Sequence, residues 1–173
     1  MGQADVTLPV RTRVIKPDDR DALTRFYAGL SPDSREARFH GASRGIGDGA
    51  ARFFCGSDHE HREGIVAETD GPDGRPVIIG HLCLEPIDPD TAEMAIAVAD
   101  EFQHRGIGKA MLRQGIAWAR CHGIIRLSAT MRWSHPAVLA LLRSTGRQVT
   151  FSSTDEDTVD AVIDVRIPVL DAA

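Results

Sequence analysis

The sequence predicts one mixed α/β domain built on a mostly antiparallel sheet, and three observations lead to this prediction. The 173 residues are 42% hydrophobic and 26% charged, an ordinary composition for a single globular domain. Apolar stretches rich in β-branched residues alternate along the chain with amphipathic stretches of helical spacing. Strong turn residues, above all Asp70–Gly74, separate neighbouring strand-like stretches as they do in antiparallel hairpins.

The elements follow in the order strand, helices, three strands, helix, strand, helix and two strands, giving six to seven strands and about four helices. Strands are predicted over residues 10–15, 64–69, 77–85, 92–99, 124–131, 148–152 and 159–167. Helices are predicted to begin near Pro17, Ser31–Pro32, Ala50, Gly108 and Pro136. Pro86–Pro89 is predicted to end the third strand. The strand–helix–strand order from 92 to 131 favours a parallel crossover.

Composition also narrows the classes of partner and compartment. The formal net charge of −5 gives no basic surplus for nucleic acid or an acidic membrane surface. No apolar stretch approaches the ~18 residues that span a bilayer, and the first residues do not resemble a signal peptide. The three cysteines lack metal-ligand spacing and are predicted to be buried free thiols. We therefore expect a cytoplasmic protein without a metal; a homodimer is compatible with the sequence.

The most informative segment is Gln103–Ala110, which lies between an apolar strand and an amphipathic helix. The unpaired N–H groups of a helix start, together with the helix dipole, form a site for an anion such as phosphate. Gly106 and Gly108 let phosphates approach the backbone, since neither carries a Cβ. Arg105 or Lys109 adds charge-assisted contacts.

Other phosphate motifs fit this segment less well. A dinucleotide fingerprint would require glycine at Met111, and a P-loop would require glycine at Gln103 and Ser or Thr at Ala110. A tight strand-to-helix turn that binds no ligand remains the structural alternative.

The spacing Gln103-x-x-Gly106-x-Gly108 resembles the Q/R-x-x-G-x-G/A signature of the GNAT acetyltransferases. The likeness extends to three flanking segments, Ala92–Val98, Lys109–Leu112 and Leu139–Gly146. The segment Leu30–Arg35, with Arg38 and Phe39, resembles a GNAT branch that includes protein-lysine acetyltransferases. In total the resemblance covers roughly residues 10–168.

The resemblance implies a sheet splayed between its fourth and fifth strands, with acetyl-CoA in the opening. It implies that backbone groups near Ala97 and Val98 pair with the pantetheine arm and that the turn holds the pyrophosphate. The cofactor-binding residues implied in this way are Ala97, Val98, Gln103, Arg105, Gly106, Ile107, Gly108, Lys109 and Ala110. It further implies acetyl transfer to a primary amine, either a protein lysine, which the branch resemblance favours, or a small molecule.

Glu93 is the predicted general base. The attacking amine must be neutral, so a base has to accept a proton from its ammonium form. Glu93 is the only charged residue in 92–99, and strand alternation places it on one face with the small Ala95 and Ala97. In the family, a glutamate about ten residues before the Q/R-x-x-G turn often serves as base. A solvent-facing or salt-bridged glutamate is the structural alternative.

At the position of the usual proton donor for the leaving thiolate, this sequence departs from the family. Many members carry a tyrosine at the position of Leu142, whereas the only tyrosine of this chain is Tyr27. His135 stands near the position of a family asparagine and is the second predicted catalytic residue, as a hydrogen-bond partner of CoA or a proton relay. A helix-start histidine without a role is its alternative. These departures leave open a second function, a non-catalytic acyl-CoA sensor or partner-binding module.

Overall fold

The computed structural model describes residues 9–39, 45–132 and 136–168, with the backbone only at 167–168. Within these ranges it contains one seven-stranded sheet with the strand order β1-β2-β3-β4-β5-β7-β6. The strands are β1 Arg11–Val14, β2 Glu63–Asp70, β3 Pro76–Asp88, β4 Thr91–Val98, β5 Arg126–Arg132, β6 Arg147–Ser153 and β7 Thr158–Pro168. Only β4 and β5 pair in parallel, which confirms the predicted mixed, mostly antiparallel sheet.

Helices cover both faces of the sheet. Those described are α1 Arg20–Gly29, α2 Pro32–Phe39, α3 Asp48–Cys55, α4 Ile107–Cys121 and α5 Pro136–Arg143. The crossover helix α4 packs on β2, β3 and β4, because its apolar side chains recur at helical spacing on one face. Helices α1 and α3 pack against each other on the opposite face of the sheet.

Two apolar clusters form the core, one on each face. The larger cluster joins α4 to the sheet and continues towards α5 through Leu142. The smaller one surrounds Tyr27 and Leu23 of α1 and reaches β4 at Ala97. Successive β4 residues therefore point to opposite layers, as the alternation predicted.

Three details differ from the sequence prediction. Strand β3 does not end before Pro86 but continues to Asp88; Pro86 pairs with Ala92, and the register shifts just beyond it. Proline is tolerated at such an irregularity because the ladder needs no N–H there. The first helical turn, Pro17–Asp19, is a 3₁₀ turn before α1. Cys121 is exposed at the end of α4, so only two of the three free cysteines are buried.

The parallel ladder between β4 and β5 is short. It pairs only Thr91, Ala92 and Glu93 of β4 with Arg126–Ser128 of β5, although β4 continues for five more residues. Beyond Glu93 the two strands diverge, which confirms the splay implied by the family resemblance. The second half of β4 therefore has β3 on one side and a gap on the other.

The close packing of β2 on the entry to α1 gives a stability test. A Cβ added to Gly64 would lie 2.5 Å from Cγ2 of the fully buried Ile15. Gly64→Ala should therefore lower the free energy of unfolding by about 1–3 kcal/mol, the usual cost of overpacking. The matched control is Gly49→Ala in α3, where the added Cβ meets nothing within 4 Å. It should leave stability unchanged or raise it by up to ~1 kcal/mol. Urea unfolding of both variants measures this, and equal midpoints would contradict the packing argument.

Candidate active site

A cavity of about 600 Å³ opens where β4 and β5 diverge. Its walls come from α2, the second half of β4, the turn that precedes α4, and α5. The sequence brings these four elements together because the crossover places the α4 turn at the end of β4, while α5 follows β5 on the far side of the gap. The cavity therefore lies between the two strands that the sheet fails to join.

The turn before α4 has an unusual backbone. Gly106 has φ 80°, and His104 has φ 59°, a value that non-glycine residues rarely adopt. Such strain persists where the surroundings enforce it, and it concentrates at functional sites. The next residues begin α4, whose first N–H groups have no intrahelical acceptor. The turn thus directs a helix N-terminus into the cavity.

Most of the predicted cofactor-binding residues line this cavity. They are Ala97, Val98, Gln103, Gly106, Ile107, Gly108 and Lys109. Arg105 and Ala110 do not line it. The Arg105 guanidinium lies 5.4 Å from the centre of the Phe102 ring, and the Ala110 N–H already donates to the Gly106 carbonyl (3.0 Å). The Ala110 N–H, which was predicted to donate to the pyrophosphate, is therefore already used within the helix.

Alternation along β4 decides which backbone groups face the gap. The Ala99 N–H donates to the Ile79 carbonyl of β3 (2.8 Å), so the residues two and four positions before Ala99 also direct their N–H and C=O groups towards β3. The backbone N–H and C=O groups of Ala97 therefore point to β3 and not to the gap. Ile96 and Val98 present their backbone groups to the gap, and Gln103 Nε2 donates to the Val98 carbonyl from that side (3.1 Å).

A hydrogen-bonded link joins α2 to the same turn. Asp100 accepts hydrogen bonds from the Ser31 N–H (2.9 Å) and from the Ser31 and Ser34 hydroxyls (2.6 and 2.7 Å). Gln103 Nε2 also donates to the Ser34 hydroxyl (3.1 Å). Partial burial alone would raise the pKa of Asp100, but these hydrogen bonds lower it below its usual value. Gln103 thus ties the turn to β4 and α2, which the motif did not reveal.

Glu93 lies on the face of β4 that Ala95 and Ala97 share, as predicted. It is exposed and does not line the cavity, and in register it stands opposite Glu85 of β3 and Ser128 of β5. No Lys, Arg or His nitrogen of the described residues comes within 4.0 Å of its carboxylate. A salt bridge, one form of the structural alternative, is therefore not found in this part of the chain, whereas the other form, a solvent-facing glutamate, agrees with its exposure.

Glu85 of β3 shares this face, and no motif in the sequence marks it. One carboxylate oxygen, Oε1, is buried and has no hydrogen-bond partner among the described residues. Burial raises the pKa of Glu85, and the neighbouring Glu93 adds to the shift. The irregularity between Pro86 and Asp88 hides this pairing, because counting outwards from the Asp88–Thr91 pair would place Pro86 opposite Glu93.

A polar cluster lies beneath this face, between β3 and the helices of the smaller core cluster. The Arg38 guanidinium stacks 4.9–5.9 Å from the centres of three aromatic rings, and its Nη2 donates to Cys83 Sγ (3.4 Å). Cys83 pairs in register with Ala95. Arg38 also lines the cavity. In the sequence, Arg38 contributes only to the family resemblance.

Two further polar side chains, those of Tyr27 and His81, belong to this cluster. The Tyr27 hydroxyl and His81 Nδ1 are in hydrogen-bond contact at 2.8 Å, and both side chains are fully buried. Burial raises the pKa of Tyr27 to about 12. Burial, assisted by the positive charge of Arg38, lowers the pKa of His81 to about 3. Both groups are therefore neutral at physiological pH.

The remaining predicted features have mixed outcomes. His135 lies outside the described residues. Leu142, at the position of the family tyrosine, is fully buried in the larger core cluster. In the described ranges, no three His, Cys, Asp or Glu side chains come together as a metal site requires. No helix of those ranges is long and apolar enough to cross a membrane.

Comparison with known proteins agrees with this geometry. The sequence model of the acetyltransferase (GNAT) family matches residues 23–146. The GNAT domain of S. lividans PAT is 26% identical, with a TM-score of 0.79 over 93% of this chain and 96% of that one.

Two more distant structures share the fold. A phosphinothricin acetyltransferase from Sinorhizobium meliloti, solved with acetyl-CoA, is 17% identical, with a TM-score of 0.65 over 89% of this chain and 86% of that one. A spermidine N-acetyltransferase from Vibrio cholerae, solved with CoA and spermine, is 12% identical, with a TM-score of 0.67 over 90% of this chain and 95% of that one.

The buried His81 predicts how stability depends on pH. The unfolded chain binds a proton at His81 below about pH 6.5, whereas the folded protein does not until about pH 3. Stability should therefore fall as pH drops below 6.5, with His81 contributing up to about 1.4 kcal/mol per pH unit. His81→Asn keeps a hydrogen-bond partner for Tyr27 and should show a shallower slope. Urea unfolding between pH 7.5 and 4.5 compares the two, and equal slopes would rule out a neutral buried imidazole.

Proposed function

Because this chain belongs to the GNAT acetyltransferase family, we propose that it is an N-acetyltransferase that moves the acetyl group of acetyl-CoA to a primary amine. Acetyl-CoA supplies an activated acyl thioester. The three free cysteines suit a reducing compartment, and we propose a cytoplasmic location on that ground.

One observation carries the proposal, namely a cavity that joins a helix N-terminus to an unpaired strand edge. The N–H groups at the start of α4 suit a pyrophosphate, and Gly106 leaves the approach to the backbone open. The edge groups of Ile96 and Val98 suit an extended chain of amides, which would add to β4 as a further strand does. Residues present in the cavity therefore fit both the charged and the amide portions of acetyl-CoA.

The proposed reaction uses two groups of this chain, the Glu93 carboxylate and the Val98 N–H. Glu93 takes the proton of the acceptor ammonium, directly or through water, since it is exposed on the β4 face beside the cavity. The free amine then attacks the thioester carbonyl. The N–H of Val98 faces the gap and stabilises the negative charge that develops on the carbonyl oxygen. The amide bond forms as the carbon–sulfur bond breaks, and the attacking nitrogen releases its second proton to solvent.

The departing sulfur needs no protein acid in this proposal. Leu142 replaces the family tyrosine and is buried in the core, and Tyr27 does not line the cavity. We propose that CoA leaves as a thiolate that solvent protonates. As the acceptor, the resemblance of Leu30–Phe39 to the protein-lysine branch favours a lysine side chain over a small-molecule amine.

Thermal stability with cofactor tests the cavity. A ligand that binds only the native state at 100 times its Kd adds about 2.7 kcal/mol, so millimolar acetyl-CoA should raise the Tm of the wild-type protein. Gly106→Val should lose this rise, because a β-branched residue resists φ 80° and obstructs the backbone. Gly123→Val is the matched control, with φ 77° at the other end of α4 and no cavity contact. It should lower Tm yet keep the rise. A wild-type Tm that acetyl-CoA leaves unchanged would contradict the proposed function.

Glu93→Gln tests the base. The substitution keeps the shape but removes the basic carboxylate, so turnover should fall by roughly 10²–10⁴-fold, the usual contribution of general-base catalysis. The loss should shrink as pH rises, since more acceptor is then already neutral. Acetyl-CoA affinity should stay the same. Released thiol is followed over a panel of alkyl amines, polyamines, amino acids and lysine peptides, with Glu156→Gln in the exposed β6–β7 loop as control. Unchanged turnover at neutral pH would exclude Glu93 as base.

A further inference from the structure

Strands β3 and β4 hold two carboxylates directly opposite each other. Glu85 and Glu93 are register partners, and the alternation set by Ala99 makes them a hydrogen-bonded pair with Cα atoms about 5.5 Å apart. Their side chains lie on the same face, which Ala95 and Ala97 leave uncrowded. Like charges placed opposite each other destabilise a sheet. The fold therefore keeps this pair at a cost.

The Glu85 side chain is partly exposed, but one of its oxygens is a second sign of a missing partner. Its Oε1 is buried without a hydrogen-bond donor in the described part of the chain. The nearest charged neighbours do not supply one. Arg62 acts on Glu85 only at a distance, since its guanidinium donates to the Gly56 carbonyl (2.8 Å), and Asp58 opposes its charge. A buried acceptor left unsatisfied is costly unless a ligand completes it.

The charge balance of the face indicates which ligand fits. Arg38 reaches it from α2 beside Cys83 and interacts electrostatically with Glu93. Arg62 and Asp58 offset each other on the far side of Glu85. When both carboxylates are ionised, they and one guanidinium remain, so the face carries one unbalanced negative charge. A single cation with several N–H donors would neutralise it and would satisfy the orphaned oxygen.

We propose that Glu85 is a further substrate-binding residue of this site, which together with Glu93 holds the ammonium group of an acceptor that carries no carboxylate on the same carbon. This inference rests on the proposed function. The ammonium donates to both carboxylates, Glu93 then takes one proton, and the neutral amine remains hydrogen-bonded to Glu85. An α-amino acid is disfavoured, because its own carboxylate would bring a third negative charge to the pair.

The acceptor panel and two variants test the proposal. The best wild-type acceptor should be an amine without an adjacent carboxylate. With that acceptor, Glu85→Gln should raise the acceptor KM and lower kcat/KM about 10- to 100-fold, the value of one charge-assisted hydrogen bond. The KM for acetyl-CoA should not change. Glu85→Asp keeps the charge and should recover part of the loss, and melting temperatures confirm that both variants fold.

The pH profile gives a readout that a merely structural Glu85 would not move. Two neighbouring carboxylates retain a shared proton more readily than one alone. Removing Glu85 should therefore move the acid limb of the kcat/KM profile to lower pH, whereas Glu156→Gln should leave it in place. An unchanged acceptor KM and acid limb in Glu85→Gln, or an α-amino acid as best acceptor, overturns this inference alone. A wild-type protein that binds acetyl-CoA but turns over no amine overturns the proposed function as well.

Discussion

The early end of the β4–β5 ladder is the constraint on which the rest of the site depends. Pairing stops at Glu93 and Ser128, although β4 runs on to Val98. A strand edge inside a sheet normally finds a partner, since unpaired backbone groups are costly. Here the divergence leaves the groups of Ile96 and Val98 facing a cavity, and α5 rather than β5 forms the opposite wall. The gap is thus both a packing defect of the sheet and its binding cleft.

The two faces of β4 divide the work that we assign to the protein. The side chains of Met94, Ile96 and Val98 pack with α4 and hold the strand in place. The other face presents Glu93 beside small alanines, above a layer of buried polar groups. In that layer Tyr27 and His81 remain neutral, while the Arg38 guanidinium is charged and stacked on aromatic rings. This rigid support can hold the carboxylate pair in register without a direct ion pair.

The sequence predicted those structural features that depend on residues close together in the chain. Hydrophobic periodicity located α4 and the strands, and the spacing of Gly106 and Gly108 located the turn, because each signal lies within one short segment. The sequence did not identify residues whose importance depends on contacts between distant segments. Glu85 needed the β3–β4 register, which the irregularity between Pro86 and Asp88 shifts by one residue. Asp100 needed the approach of α2, 66 to 69 residues away in the chain.

This difference also explains why the family is easier to recognise than the acceptor. The cofactor side of the cavity is made largely of backbone groups from consecutive residues, so a short motif is enough to encode it. The acceptor side that we propose is made of side chains from α2, β3 and β4, which the fold brings together from distant positions. Each of those side chains can change without disturbing the turn. A family of this design can therefore keep one cofactor site while its acceptor face changes, and the identity of the acceptor has to be deduced from charge and register rather than from the motif.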